Sequence, residues 1–497
     1  MSTSLKNIAK HSSVYAFGNV LRKSIAFLLI PIYTRYLTPS DYGMLEILLI
    51  TAHIMGIVGG LGIGSGLKRV FLYDANNREQ QNLATTTASA FVVFMSLLII
   101  APMIVIAKPI SLLLFEDSQY ATWFLIVFIT GIIRTNNIVP FQIYQAELKS
   151  IRFTIINLIA FTIELVSNIY FIVYLRIGIL GILYGALLSS VIVFLINFAF
   201  IRRYIVLQFS KVLFKKMLRF GLPLIPGALA FWLMSSADRY FLIHYSDTHE
   251  IGLYSMGFRF AVILEFILRE PFEKNWASIY FRLAKQANAK AQFSNIFTYY
   301  FLIGSFLCLG ISIFAKPVIQ IMTTPAFYSA YEVVPLLAVA ILFRGMSNTT
   351  AVGIGISGKT EYYGLTVVAT ALINLLLNYL LIPPFGMKGA ALATMFSFVF
   401  MQLAIYLIGL KLYPIKYDFL RLGKIVVAIS LPLYFHFLLK PESLAMELIL
   451  DIGLCLSYIL VLFALNFFRE NEITRIRGLI HRRNLGLPIV TTLRQKL

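Results

Sequence analysis

Several ionisable side chains stand where a bilayer would exclude them. Arg22, Lys23, Arg134, Glu164, Arg259, Glu265, Arg269, Arg344 and Asp451 all fall inside long apolar runs. A charged side chain at the centre of such a helix costs at least about 2.5–3.5 kcal/mol on insertion scales. Residues kept at that cost line a pathway, bind a ligand or neutralise one another. The deep cations Arg22, Lys23, Arg134, Arg259 and Arg344 outnumber the deep carboxylates Glu164 and Asp451. Guanidinium groups keep their proton in proteins. A cavity with this balance attracts an anion, and one for cationic drugs calls for the opposite sign.

Spacing sharpens this reading. Arg134 and Arg344 lie 210 positions apart, as do Lys149 and Lys359, and Asn168 and Asn378. Both arginines fall near the middle of their apolar runs, so a repeat would set them on opposite walls of one central space. The plainer alternative is neutralisation within each half, by Glu164 for example. Arg22 and Lys23 are adjacent and point about 100° apart on a helix. One of them faces the cavity, and Arg22 is favoured because guanidinium grips phosphate oxygens in bidentate fashion. Arg259 fits either the cavity wall or the membrane interface, where long basic side chains snorkel. Glu265 and Arg269 read as a local i,i+4 ion pair. Glu46 and Asp238, near the ends of their runs, read as solvated or capping groups. Glu164 and Asp451 fit either a coupling-ion site or structural ion pairs.

The chain that must position these residues is 59% hydrophobic and 13% charged. Soluble domains average about 45–50% and 25%. Apolar runs of roughly twenty residues match about 30 Å of hydrocarbon crossed as helix, and they lack the alternation of barrel strands. The expected spans are 12–34, 42–66, 83–107, 119–146, 152–175, 178–201, 219–244, 250–275, 293–315, 331–357, 361–383, 386–410, 421–439 and 444–468. The repeat groups them as an N-terminal six-helix lobe (1–201), a basic cytoplasmic linker (202–218), a C-terminal six-helix lobe (219–410), two additional helices (411–468) and a basic tail (469–497). Six is even, so the two lobes run parallel about an axis along the membrane normal. Transporters use such halves to rock about a site between them. The fold class expected is therefore an all-α polytopic membrane protein of about 14 spans, with two lobes around a central cavity.

The net charge of +20 does not signal nucleic acid. Most of the basic residues, Lys68, Arg69, Arg78, Arg202, Arg203, Lys211, Lys215 and Lys216 among them, fall on one set of loops. That is the positive-inside pattern, and it places both termini in the cytoplasm. Pro31, Pro140, Pro223, Pro226 and Pro335 lie where they would kink helices. The Gly59–Gly66 stretch thins the inner end of helix 2 for close packing. Cys308 and Cys455 read as small core residues. Gly353-Ile354-Gly355-Ile356-Ser357-Gly358-Lys359-Thr360 spells a phosphate-loop pattern. That motif works only between a strand and a helix, so nucleotide binding is refused. No histidine spacing suits a metal, no nucleophile–base pair is legible, and no cofactor is expected.

One stretch carries a resemblance. Ile30-Pro31-Ile32-Tyr33-Thr34-Arg35-Tyr36-Leu37-Thr38-Pro39-Ser40-Asp41-Tyr42-Gly43 is similar to the N-terminal signature of bacterial polysaccharide-repeat-unit flippases. These belong to the multidrug/oligosaccharidyl-lipid/polysaccharide exporter superfamily. Ala237-Asp238-Arg239-Tyr240 with Glu250-Ile251-Gly252-Leu253-Tyr254 resembles the second-half counterpart. The resemblance implies a V-shaped cavity open alternately to each side of a bacterial inner membrane. It implies export of an oligosaccharide linked to undecaprenyl pyrophosphate, an O-antigen, capsule or similar repeat unit, without bond chemistry. An ion gradient would drive it. The implied partners are that lipid-linked oligosaccharide, the bilayer and polysaccharide polymerase machinery. A cationic cavity is common in the family and agrees with Arg22, Arg134, Arg259 and Arg344.

Two rival classes make different demands. A drug or metabolite antiporter of the same superfamily wants acidic and aromatic cavity residues. A membrane glycan polymerase or ligase wants a sizeable outer loop, and every outer loop here is short. Binding of a lipid pyrophosphate against cationic dyes separates the first rival, and sugar transfer by pure protein tests the second.

Overall fold

The computed structural model describes residues 27–439 and 443–470 together with Glu472 and Thr474. Every regular element among them is helical. Thr38 opens the first complete crossing with a capping box, its hydroxyl taking the Asp41 amide while Asp41 takes the Thr38 amide. Pro39 at the first helical position completes the start. From there α2 runs Pro39–Gly60, preceded by the short α1 (Ile30–Tyr36). The crossings then follow as α3 (Arg78–Phe115), α4 (Ser118–Ala146), α5 (Ser150–Tyr174), α6 (Ile179–Tyr204), α7 (Lys211–Tyr245), α8 (Thr248–Lys274), α9 (Ala289–Ile313) and α10 (Pro325–Ser357). Glu361–Leu412 is one continuous run that Gly386 divides into α11 and α12. The last pair is α13 (Phe419–Leu438) and α14 (Leu444–Ala464). Long apolar helices follow one another throughout, as the composition demands, and the chain is a multi-pass membrane protein. The first expected span, 12–34, lies mostly outside the described residues.

Backbone geometry repeats between the lobes. Gly178 opens α6 at φ 59°, ψ −134°, and Gly386 opens α12 at φ 52°, ψ −132°. Side chains are strongly disfavoured there, so the matched glycines mark one turn used twice. Leu148 at φ 55° and Gly358 at φ 72°, 210 positions apart, are a second such pair. Gly358 closes a helix C-terminus, where carbonyls rather than amides point outward, which agrees with refusing the phosphate-loop pattern.

The expected prolines act differently from the sequence reading. Pro31, Pro223, Pro226 and Pro335 start helical segments, where the missing N–H is harmless. Pro140 follows the break in α4 at Asn137. Pro102, Pro109, Pro383, Pro384 and Pro432 stand in helix interiors instead. The glycine stretch packs, as expected: α2 breaks at Leu61 and Gly62, both in left-handed conformation, and resumes as Ile63–Arg69. That tail lies backbone to backbone against Lys211–Gly221, at Gly62 on Gly221 and Gly66 on Met217. Lys211–Gly221 thus docks its Leu213, Phe214, Met217 and Leu218 on the N-terminal lobe and leaves Lys211, Lys215, Lys216 and Arg219 exposed. The trailing α13 and α14 pack on α9.

At the basic end of the first lobe, Glu147 gathers Arg78 at 2.7 Å, Lys149 at 2.5 Å and the Tyr204 hydroxyl at 2.8 Å. Burial pushes its carboxyl up, but Lys149, Arg78 and Tyr204 outweigh that and hold it below the ordinary range. A depressed folded pKa adds stability above the unfolded value of about 4.3. That stability disappears as pH falls through the lower folded value. Melting of wild type and Glu147→Gln across pH should therefore differ at neutral pH and converge in acid. Parallel curves at every pH would show that the carboxylate charge is not what the knot uses.

A half-exposed arginine in the N-terminal lobe cavity

The lobes meet where the starts of α2 and α8 cross. A Cβ on Gly43 would strike the Thr248 carbonyl, and one on Gly252 would strike the Pro39 carbonyl. Pro39 and Gly43 correspond to Thr248 and Gly252 at a common offset of 209. The contact is therefore reciprocal, as a pseudo-two-fold axis requires. Beside it Tyr42, 1% exposed, stands edge-on to Phe327 at 5.9 Å. Deeper along α2, Trp232 donates to the Ile50 carbonyl at 3.2 Å, and the Thr51 and Tyr240 hydroxyls are 2.8 Å apart. Ile50 is about 16 Å along the helix from Pro39. The lobes are thus sealed from the Pro39 end to the middle of α2.

Beyond the seal lies a cavity of about 670 Å³. Its walls come from α2, α4 and α6, with Ile50, His53, Gly56, Thr130, Arg134 and Thr135 among them. Of the described candidate residues, Arg134 is the one on this wall. Its Nε donates to Ser190 on α6 at 2.9 Å, and its Nη2 is 3.5 Å from Glu164 on α5. The two side chains remain 49% and 37% exposed. This is a loose pair, of the kind that contributes about 0–1 kcal/mol.

Arg344 is placed differently. It sits in the second lobe with Nη1 3.0 Å from Glu265, and its guanidinium faces the Phe231 and Phe398 rings at 5.4 and 5.5 Å. Glu265 also holds Arg269 at 3.1 Å, as the i,i+4 spacing suggested, and Arg269 reaches Glu273 at 2.7 Å. Asn348 donates to Glu273 in turn. Two guanidinium groups and two carboxylates so form one neutral string. Arg259 does not snorkel: it crosses the seal to Glu46 at 2.8 Å and stacks over Tyr42 at 4.8 Å. Arg22 and Lys23 lie outside the described residues.

Two sequence readings are corrected here. Glu46 is not a solvated end group but the acidic partner of Arg259 between the lobes. Asp238 is not solvated either. It is 2% exposed, 2.8 Å from Arg239, and takes a hydrogen bond from Tyr254. Arg239 itself lies over the Tyr254 and Phe258 rings at 4.8 Å each. Position along the chain suggested neither burial, because Glu46 meets Arg259, and Asp238 meets Tyr254, on a different helix, α8. Asp451 is fully buried against His436 on α13 at 2.9 Å, in the trailing pair. His53, isolated in sequence, lines the cavity with Arg134. The signal that could have found it is its place on α2, three residues from Ile50 and Gly56. No group of three or more acidic, cysteine or histidine side chains suited to a metal occurs among the described residues.

Solved structures share this architecture. One described as the lipid II flippase MurJ in an inward closed conformation superposes with a TM-score of 0.71 at 14% identity, covering 92% of this chain and 99% of that one. A multidrug resistance MATE family transporter of the MOP superfamily, inward-facing, gives 0.63 at 16% identity over 78% and 93%. Among curated sequences, the Lsg locus putative protein 1 of Haemophilus influenzae is 23% identical over 269 residues, 53% of this chain and 63% of that protein. An uncharacterized membrane protein of Methanocaldococcus jannaschii is 33% identical over 112 residues, 21% of each. The chain thus spans under two thirds of the length of these curated relatives. A family described as polysaccharide biosynthesis protein matches residues 32–286. That match takes in the Pro39–Gly43 turn, the cavity arginine and the seal, and covers just over half of the sequence, so the chain belongs to the polysaccharide biosynthesis protein family.

Proposed function

We propose that this protein is a flippase. It carries an oligosaccharide linked to undecaprenyl pyrophosphate from the inner to the outer leaflet of a bacterial inner membrane. The lobes rock about the α2–α8 crossing, and an ion gradient drives the cycle. The observation that carries the reading is Arg134: a permanent cation at cavity depth, half exposed, held by one long ion pair and one serine. A pyrophosphate head cannot enter hydrocarbon bare, and a guanidinium offers it bidentate hydrogen bonds. Among the described residues the other cations at that depth have close carboxylate partners, and Arg134 is the one of them free to exchange. When it turns to a head group, Glu164 is left to take a proton or a sodium ion. That makes Glu164, and not the remote Asp451, the coupling carboxylate of this scheme.

Deletion of the gene should leave one lipid-linked glycan stranded in the inner leaflet. Export restored by the wild-type copy but not by Arg134→Ala, at equal protein level, is the expected outcome. If no glycan accumulates and the pure protein instead exchanges cationic dyes, the small-molecule antiporter reading replaces this one.

A further inference from the structure

The basic end of the first lobe holds a second cavity, of about 650 Å³, whose charges are unbalanced. It opens between the α2 tail, the end of α4 and the start of α7. Ser65, Lys68, Arg69, Gln142, Gln145 and Phe220 line it, and no acidic side chain among the described residues does. Lys68 spends one hydrogen bond on Gln145 at 3.0 Å. Arg69 is exposed, with its guanidinium over the Phe220 ring at 5.0 Å. Neither cation has an acidic partner among the described residues. Within the spans the pattern is the reverse: Arg239, Arg259, Arg269 and Arg344 each have a carboxylate within 2.7–3.1 Å. Just outside, Lys215 and Arg219 are exposed, and Lys216 stands a loose 3.9 Å from Asp74.

A concave wall of one sign concentrates counter-ions far more than scattered surface charge. A ring-stacked guanidinium, a tethered ammonium and two carboxamides together offer donors on several sides of a tetrahedral oxyanion. Gln142 stands eight residues beyond Arg134 in α4, about 12 Å along the helix.

We propose that Lys68 and Arg69 form a phosphate-binding site at the basic mouth of the lobe, which captures a phosphate-bearing head group before it reaches Arg134. The site stands on its own geometry, and only the hand-over to Arg134 rests on the transport reading. The ligand chemistry is a phosphate monoester or diphosphate, whether carried on a polyprenyl chain or on a bilayer lipid.

Full-length protein in neutral detergent, titrated with inorganic pyrophosphate and followed by phosphorus NMR, tests the site without any transport. Wild type and Lys211→Ala, which removes an exposed lysine outside the cavity lining, should bind saturably and alike. Lys68→Ala and Arg69→Ala should each weaken binding about tenfold, the loss of one charge-assisted hydrogen bond. Lys68→Arg should restore it, and unchanged melting will show that the alanine variants fold. No saturable binding by wild type, or binding as tight as wild type by both alanine variants, overturns the proposal. In phosphatidylcholine nanodiscs, undecaprenyl pyrophosphate and phosphatidic acid are then compared as competitors. Competition by either confirms phosphate recognition and names its source, and competition by neither overturns the site in a membrane. A deletion strain that strands no glycan, with pyrophosphate binding intact, would retire the transport reading and leave this site standing.

Discussion

Arg134→Ala should abolish export while leaving the melting temperature close to wild type, and Arg344→Ala should lose the protein itself. The two arginines occupy repeat-equivalent positions, so their difference lies in their neighbours. Arg134 and Glu164 are 3.5 Å apart and 49% and 37% exposed. Removing one partner of such a pair shifts stability by about 1 kcal/mol or less. Arg344 and Glu265 are 3.0 Å apart and only 22% and 14% exposed. Deleting Arg344 leaves the string Glu265–Arg269–Glu273 with one uncompensated negative charge. Breaking a buried pair costs about 3–5 kcal/mol. The low end applies here, because Arg269 still contacts Glu265. Glu265→Gln placed in the Arg344→Ala background should recover much of the loss, since the string is then neutral again. Thermal melts of wild type and the three variants, with protein yield and export in the deletion strain, read both halves. Normal export by Arg134→Ala would remove that residue from the binding site. A wild-type melt for Arg344→Ala would show the second lobe hydrates the charge more freely than its burial implies.

The second large effect belongs to the crossing that seals the lobes. Gly43→Ala should cut export about tenfold, the loss expected from overpacking worth ~1.4 kcal/mol or more at a tight interface. A methyl there collides with the Thr248 carbonyl. Backbone cannot step aside as a flexible side chain can, so the ends of α2 and α8 must separate. Gly252→Ala should do the same from the other side, against the Pro39 carbonyl. Gly227→Ala, on α7, is the control, because nothing lies within 4 Å of a Cβ there and the residue is not on the cavity wall. Helix propensity favours alanine over glycine by about 0.8–1 kcal/mol at any of these sites. The control should therefore be neutral or stabilised. A water-soluble thiol reagent gives a direct reading in a background without Cys308 and Cys455. Thr51→Cys, at a position 8% exposed, should resist labelling with Gly43 intact and react once Gly43→Ala opens the seal. Equal protection in both would mean that the crossing tolerates a methyl and that the seal lies elsewhere.

Much of this protein is legible as a string of letters. Hydrophobic runs of bilayer length gave the crossings from α2 onward, because a helix crossing lipid needs about twenty predominantly apolar residues. The offset near 210 pointed to two lobes, and the matching backbone angles at Gly178 and Gly386 show the same turn built twice. The local Glu265–Arg269 pair followed from helical spacing alone. The Gly59–Gly66 stretch packs closely, as small residues allow.

The counter-ions were decided by tertiary structure. Sequence symmetry made Arg134 and Arg344 look alike, yet the first takes Glu164 from α5 and the second takes Glu265 from α8. The repeat offset carries Glu164 to Asn374 and Ser190 to Phe398, so each lobe neutralises its arginine with different chemistry. Glu46 and Asp238 looked like end groups because the groups that bury them come from another helix. Arg259 reaches Glu46 from α8, and Tyr254 of α8 closes over Asp238 beside its neighbour Arg239. Periodicity reports which side chains share one helix, and that information stops at the helix surface. Which charges meet depends on where helices cross, and here the crossing is set by two glycines, Gly43 and Gly252, that let backbones touch.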